Sequence, residues 1–420
     1  MLISENNPNK LPDDMKLMLP EIKTQLQHIQ KHGFAVIFKL IDYIMIKKLL
    51  FILTSVLIIS GCTPDRMKIT IENTLPSDRR AETVEISIAD IIARLPESDP
   101  LKLVVTDSRD NEVPSQVIFA GQPEPQSLIF QADVMANSSS VYFIAAGEPA
   151  EYEAKAYGRF VPERYDDYTW ENDRIAFRIY GPALIEKDGP SNGLDVWIKR
   201  TDKMVIDKWY AEYLAGKNSY HDDNGEGCDC YKVGRTLGAG AMAPFVDDSL
   251  WLAINFENWQ TLDNGPLRTS FRLTYPSFMV RDVPVTETRT ISLDAGSQLT
   301  KVTEEYTGLD EKFTVAAGIV KREEGSPLLF PPDNNAIAYR LDGGEGGITY
   351  IGTVLSTPAT AVLDTSNHLL IVTRYTPGTP LVYYTGGGWS KWGFESDKAW
   401  SDYITGFSQK IRSPLKVLTD

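Results

Sequence analysis

Cysteine and histidine are scarce, with three of one and four of the other in 420 residues. Three cysteines cannot staple a disulfide-built fold, and four histidines severely limit His-based chemistry. Basic residues are outnumbered, 42 Lys and Arg against 57 Asp and Glu, for a net charge of −15. A field of that sign repels phosphate backbones and argues against nucleic acid as a partner. Also missing are a Gly-x-Ser-x-Gly elbow, a His-Glu-x-x-His pair, a P-loop and a dinucleotide fingerprint, which disfavours serine esterases, zincins, NTPases and Rossmann oxidoreductases. A paired-carboxylate glycosidase stays open, because the separation of two carboxylates is a three-dimensional matter. What is present, 42% hydrophobic and 24% charged residues, is the composition of a globular chain with about two domains.

Long apolar runs are equally rare. The single one, residues 49–60 (LLFILTSVLIIS), follows Lys47 and Lys48 and ends at Gly61 and Cys62. A short basic region, an apolar stretch and small residues before a cysteine form the pattern of a bacterial lipoprotein leader, too short for a spanning helix. The leader occupies residues 45–61, and the polar residues 1–44 read as a mis-assigned upstream extension. Cys62 would then carry acyl chains that hold the protein to the outer membrane of the cell envelope, on its periplasmic or surface face. Cys228 and Cys230 are too close in sequence for an unstrained disulfide and lack the usual zinc spacing. They read as two small residues of a loop or strand.

From residue 67 the chain alternates as strands do, at 67–71, 83–88, 101–105, 115–119 and 140–144, separated by Pro, Gly, Asn and Asp clusters. This predicts a small β-sandwich domain over 62–156. A longer β-rich block follows over 157–420, with strands expected at 175–180, 250–254, 269–275, 286–291, 301–306, 348–352, 369–373 and 381–384. So many strands predict a large two-sheet sandwich. Helical periodicity is confined to 209–214 and 396–411. The fold class is all-β with few helices.

Three polar-aromatic clusters could carry chemistry: residues 162–174 (PERYDDYTWENDR), 219–234 (SYHDDNGEGCDCYKVG) and 386–394 (GGGWSKWGF). In the second, Tyr220 and His221 are a plausible acid–base pair for taking a proton α to a uronate carboxylate, with the alternative of a plain turn-rich surface loop. The alternation Asp222-x-Asn224-x-Glu226-Gly227 copies the first half of a calcium loop. Its twelfth position is Val233, where a bidentate Glu is needed, so Ca²⁺ is a partial match. In the first cluster Arg164, Arg174 and Arg178 are suited to a carboxylate, though their acidic neighbours could absorb them. Trp170 suits either a sugar platform or the core. In the third, glycines suggest a mobile loop, and either Trp389, Lys391 and Trp392 line a sugar cleft or the segment is a turn before the last helix with Trp packing inward. His368 reads as a turn residue before a strand.

The run Pro-Glu-Arg-x-Asp-Asp-x-x-Trp-Glu-Asn-Asp-Arg, the Tyr-His-x-Asp-x-Gly loop and the late Trp-Ser-Lys segment resemble the bacterial "domain of unknown function" family numbered 4861. The resemblance covers nearly all of the chain after Cys62. It implies an exported protein encoded among glycan-degradation genes, often beside enzymes acting on pectic or other uronate fragments, but it implies no mechanism. The large β block is similar in style to the supersandwich of mutarotase-like domains, an analogy of fold alone. The expected activity is that of a lipid-anchored lyase or hydrolase acting on uronate-containing oligosaccharides. Tyr220 and His221 would move protons, Arg174 and Arg178 hold the carboxylate, and Trp170, Trp389 and Lys391 wall the cleft. The second reading is a glycan-binding lipoprotein without catalysis.

Overall fold

The computed structural model describes residues 65–308 and 313–420, with residues 18, 20–28, 30–31 and 45 ahead of them. Apart from Met45, the expected leader and Cys62 lie outside the described residues.

Strict alternation in Arg66–Asn73 turns Met67, Ile69 and Ile71 inward, as the period of two in a strand requires. This strand pairs with Ser138–Ala146, which pairs with Leu103–Asp107. A facing sheet of Arg79–Ser87, Ser127–Val134 and Ser115–Ile118 closes the sandwich. Ile69, Ile71, Val84, Ile86, Val105, Phe130 and Ile144 fill the space between. Lys416–Thr419, from the far end of the chain, adds an edge strand beside Arg66–Asn73. The strand expected to reach residue 88 stops at Ser87, whose Oγ accepts a hydrogen bond from Asp90 N at 3.0 Å and starts the helix Ile88–Arg94.

Three further antiparallel sheets surround a second, larger core that includes Trp170, Phe177, Val196, Phe271, Ile291, Ala317, Ile351 and Ile371. One has nine strands, among them Val283–Asp294, Leu299–Thr307, Leu381–Trp389 and Ile348–Leu355. A second is built on Ala239–Val246, Phe313–Val320 and His368–Tyr375. The third has the order Gly227–Cys228, Leu194–Lys199, Ile175–Ile179, Asp167–Asn172, Ala156–Val161, and it positions the candidate site. The protein is all-β, as its sequence predicts.

The two expected helices are Ile206–Leu214 and Asp397–Arg412. Ser396 caps the second by accepting a hydrogen bond from Ala399 N at 3.2 Å. Two expectations fail. Gly386, Gly387 and Gly388 are not a mobile loop but part of the strand Leu381–Trp389. A Cβ at 388 would lie 2.5 Å from Phe394 and 2.8 Å from Trp400, so glycine lets the last helix seat on the sheet. The strand expected over 250–254 ends at Leu250. The chain leaves the sheet to deliver Asn255, which accepts from Ser191 N at 2.7 Å and donates to the carbonyls of Tyr180 and Gly181.

Candidate active site

Asp167–Asn172 reads DYTWEN, yet every residue of this strand is buried. Buried polar groups need partners, and the strand finds them locally. Asp167 accepts from Gly181 N at 2.9 Å. Glu171 accepts from the backbone of Val205 and Ile206 and from Lys199 Nζ at 2.8 Å, which anchors the start of the helix Ile206–Leu214. The neighbouring strand sets Arg178 opposite Asp195.

Arg178 is the hub. Its Nε donates to Asp195 Oδ2 at 2.9 Å, its Nη2 to Asp229 Oδ2 at 2.9 Å and its Nη1 to the Tyr220 hydroxyl at 3.2 Å. Asp167 Oδ2 lies 4.0 Å from the same guanidinium. Burial pushes the carboxyls of Asp195 and Asp229 above the usual range and that of Asp167 up to about 6, against the pull of Arg178. Arg178 is 4% exposed and saturated by Asp195 and Asp229. The expectation that it receives a substrate carboxylate is therefore corrected: it positions Tyr220.

The loop after the helix Ile206–Leu214 carries Tyr220 and His221. Tyr220 packs on Trp197, Tyr210 and Tyr213, and its hydroxyl accepts from Arg178 and from Arg164 Nε at 2.9 Å. The phenol's own hydrogen has no acceptor among the described residues. Burial pushes this phenol upward despite the two guanidinium groups, so it holds its proton at neutral pH. The His221 ring lies 4.4 Å from the Tyr220 ring, centre to centre. Its Nδ1 is 3.1 Å from Asp229 O and 3.3 Å from Asp229 Oδ2. With the hydrogen on Nδ1 held there, Nε2 is left as an acceptor with no partner among the described residues. The His221 side chain is 47% exposed and meets solvent.

Arg164 completes the group. It is half-buried, surrounded by the rings of Tyr165, Tyr213 and Tyr220 at 5.0–6.0 Å, and no carboxylate among the described residues pairs with it. The two residues after it, Tyr165 and Asp166, both adopt left-handed backbone, with φ of 53° and 62°. Such conformations cost about 1–2 kcal/mol each, a local strain of the kind that gathers at functional sites. The sequence offers Asp167 as an acid able to absorb a neighbouring arginine and Asp229 as a carboxylate near His221, and both are found there; Asp195 is the member it does not suggest. Asp195 carries no local signature, because only strand register sets it opposite Arg178.

The other candidates lie elsewhere. Trp170 is fully buried, stacked on Phe177, with its Nε1 donating to Thr300 Oγ1 at 3.1 Å. Trp389 is 1% exposed and donates to Gly346 O at 3.0 Å. Neither can stack on a sugar, so both cleft-wall expectations are corrected to core residues. Lys391 is exposed, 5.2 Å above the Trp389 ring. Arg174 sits on the exposed turn between Asp167–Asn172 and Ile175–Ile179, away from Tyr220. The partial calcium loop is otherwise employed: Glu226 pairs with Lys208 at 2.8 Å and accepts from Trp209. The Asn224 amide donates to the carbonyls of Ser219 and Asp222. Among the described residues no group of three or more His, Cys, Asp or Glu is placed to hold a metal ion. Cys228 and Cys230 are free thiols. His368 opens a strand, accepts from Leu237 N at 3.2 Å and is pushed down to about 4 by burial.

A family model described as Domain of unknown function (DUF4861) matches residues 71–417. The chain is 31% identical over 400 residues to "Uncharacterized protein P7" of Formosa agariphila, covering 88% of this chain and 98% of that protein. Among solved structures it is similar to a protein in the glycosyl hydrolase family 38 from Enterococcus faecalis, with a TM-score of 0.45 and 12% identity over 85% of this chain and 47% of that one. An alpha-mannosidase from the same species gives 0.45 and 9% over 85% of this chain and 46% of its own. The chain thus spans a little under half the length of these two structures.

Proposed function

The chain belongs to the Domain of unknown function (DUF4861) family, and we propose that it is a carbohydrate-active enzyme that cleaves uronate-containing oligosaccharides by proton transfer at Tyr220 and His221. One observation carries the reading. The Tyr220 hydroxyl accepts hydrogen bonds from two guanidinium groups while its own proton is uncommitted. Loss of that proton in a transition state would create a phenolate that Arg164 and Arg178 stabilise without reorganisation.

In the elimination favoured here, the substrate carboxylate rests on Arg164, which has no carboxylate partner of its own. His221 Nε2 takes the proton from C5, next to that carboxylate. The C5–H electrons form the C4=C5 double bond as the C4–O bond breaks, and Tyr220 gives its proton to the departing oxygen. Asp229 holds the imidazole in the required tautomer and stabilises it once charged. Hydrolysis would use the same acid with a water in place of the C5 proton.

The binding-only alternative is favoured by one feature. The cavity beside Tyr220, lined by Lys208, Trp209, Glu212, Asn218 and Asp222, holds only about 70 Å³, well under the roughly 300–1,000 Å³ of ligand pockets. The deciding experiment is incubation of purified protein with pectic and glycosaminoglycan oligosaccharides. The ultraviolet absorbance of a conjugated uronate would report elimination, and new reducing ends without it would report hydrolysis. Neither signal on any acidic glycan, with binding retained, would leave the alternative. We further propose anchoring to the outer membrane through an acylated Cys62. Mass spectrometry of membrane-extracted protein should find a chain starting at that residue, and a soluble product retaining residues 49–59 would refute it.

A further inference from the structure

We propose that a second groove, at the end of the site sheet where Arg174 lies, is a binding subsite for an acidic oligosaccharide. It is built from four separate pieces of chain. Residues 153–155 precede the strand Ala156–Val161, Asp173 and Arg174 form the turn after Asp167–Asn172, residues 200–204 follow Leu194–Lys199, and Trp392 comes from the turn after Leu381–Trp389. The register places the first three at one end of the sheet, with Ala156 opposite Asn172 and Ile175 opposite Ile198. Arg178 lies four residues along its strand from Arg174, about 13 Å at the rise of a strand. The groove shares no lining residue with the Tyr220 cavity.

Size, polarity and charge point to the ligand. The volume is about 490 Å³, within the range of ligand pockets and seven times that of the cavity beside Tyr220. The walls are charged on both signs, which suits hydroxyl groups and excludes a lipid tail. The single aromatic side chain, Trp392, is half-exposed and offers an apolar surface for a sugar ring. Arg174 lies 5.9 Å from the centre of the Trp392 ring, so a sugar resting on the indole is within reach of a guanidinium.

Three of the four cations are unpaired or only loosely paired and so open to a carboxylate. Lys155 has no ion-pair partner among the described residues. Arg174 has only Asp173, at 3.6 Å, and that carboxylate is already engaged by Gly296 N at 2.6 Å. Lys203 is held no more closely, by Glu153 at 3.6 Å, and Arg200 is the firmly paired one, with Asp223 at 3.0 Å. In a chain of net charge −15, available cations beside a partly exposed indole mark a place where an anionic sugar is accepted. The ligand class matches that of the proposed reaction, but the subsite stands on different residues and needs no catalysis.

The test is calorimetric titration of trigalacturonate into full-length protein carrying Tyr220→Phe, a background in which turnover cannot consume the ligand. Adding Trp392→Ala or Arg174→Ala should weaken binding at least about tenfold, the loss expected for a stacking surface or a guanidinium fork. Melting temperature should stay within a degree or so, because both side chains are at the surface. The fully methyl-esterified trisaccharide should bind weakly and respond little to Arg174→Ala. Unchanged affinity in both variants, equal affinity for the ester, or no binding in the Tyr220→Phe background would overturn the subsite. Failure of the proposed reaction would instead show as absent product with this binding intact.

Discussion

At the scale of single residues, His221 and Arg178 should respond to substitution in opposite ways. His221→Ala should reduce turnover by about 10²–10⁴-fold, the usual contribution of a positioned acid or base. His221→Gln should fail nearly as badly, because an amide keeps hydrogen bonds and cannot exchange the proton. Neither should melt appreciably lower, since half the imidazole is in solvent; a large fall in melting temperature with normal turnover would make His221 a structural residue. Arg178→Ala should behave oppositely. It strips Asp195 and Asp229 of their buried partner, a loss of about 3–5 kcal/mol, visible as a lower denaturation midpoint. Asp167 supplies a pH signature. Its carboxyl is pushed up to about 6 from 3.8 by burial, so the folded state binds its proton more tightly than the unfolded state does. Its contribution to stability is greatest below the unfolded value and is lost as pH rises through about 6. Asp167→Asn mimics the protonated form and can still accept from Gly181 N. The variant should therefore gain on the wild type between pH 4 and 7, by up to about 3 kcal/mol, in denaturation series at several pH values. A constant difference across that range would remove Asp167 as the source.

At the scale of elements, alternating strands such as Arg66–Asn73 and Val283–Asp294 were legible because one face is buried and the other wet. The site strands were not. Asp167–Asn172 and Leu194–Lys199 are buried on both faces, so neither shows a period of two, and their charged residues look like those of a surface loop. The contact between Tyr220 and His221 was legible from their adjacency, whereas the burial of Arg178 was not, because Asp195 reaches it only through strand register. Tryptophans show the same limit: Trp170 and Trp392 have similar polar neighbours in sequence, but one faces the core and the other a groove. Trp170→Ala should cost about 3–5 kcal/mol, with the loss of its stacking on Phe177 and its bond to Thr300. A near-normal unfolding midpoint would contradict the burial of this strand.

At the scale of the whole molecule, the chain closes on itself. Lys416–Thr419 pairs with Arg66–Asn73 in four register positions, Lys68 meets Asp420 at 2.9 Å, and Leu415 packs on the core of the N-terminal sandwich. The strand is exposed on all four residues, so its main role is to cover a sheet edge rather than to add core. An uncovered edge presents a row of unpaired backbone groups to other chains. Removing residues 414–420 should lower stability by about 2 kcal/mol, the value of one partly buried leucine and a few backbone hydrogen bonds. It should also produce concentration-dependent association in sedimentation experiments. Every residue of the Tyr220 group lies outside this sandwich, so turnover per folded molecule should remain at the full-length level. A truncated protein that stays monomeric and melts as the full chain does would mean that this strand neither protects the edge nor stabilises the fold.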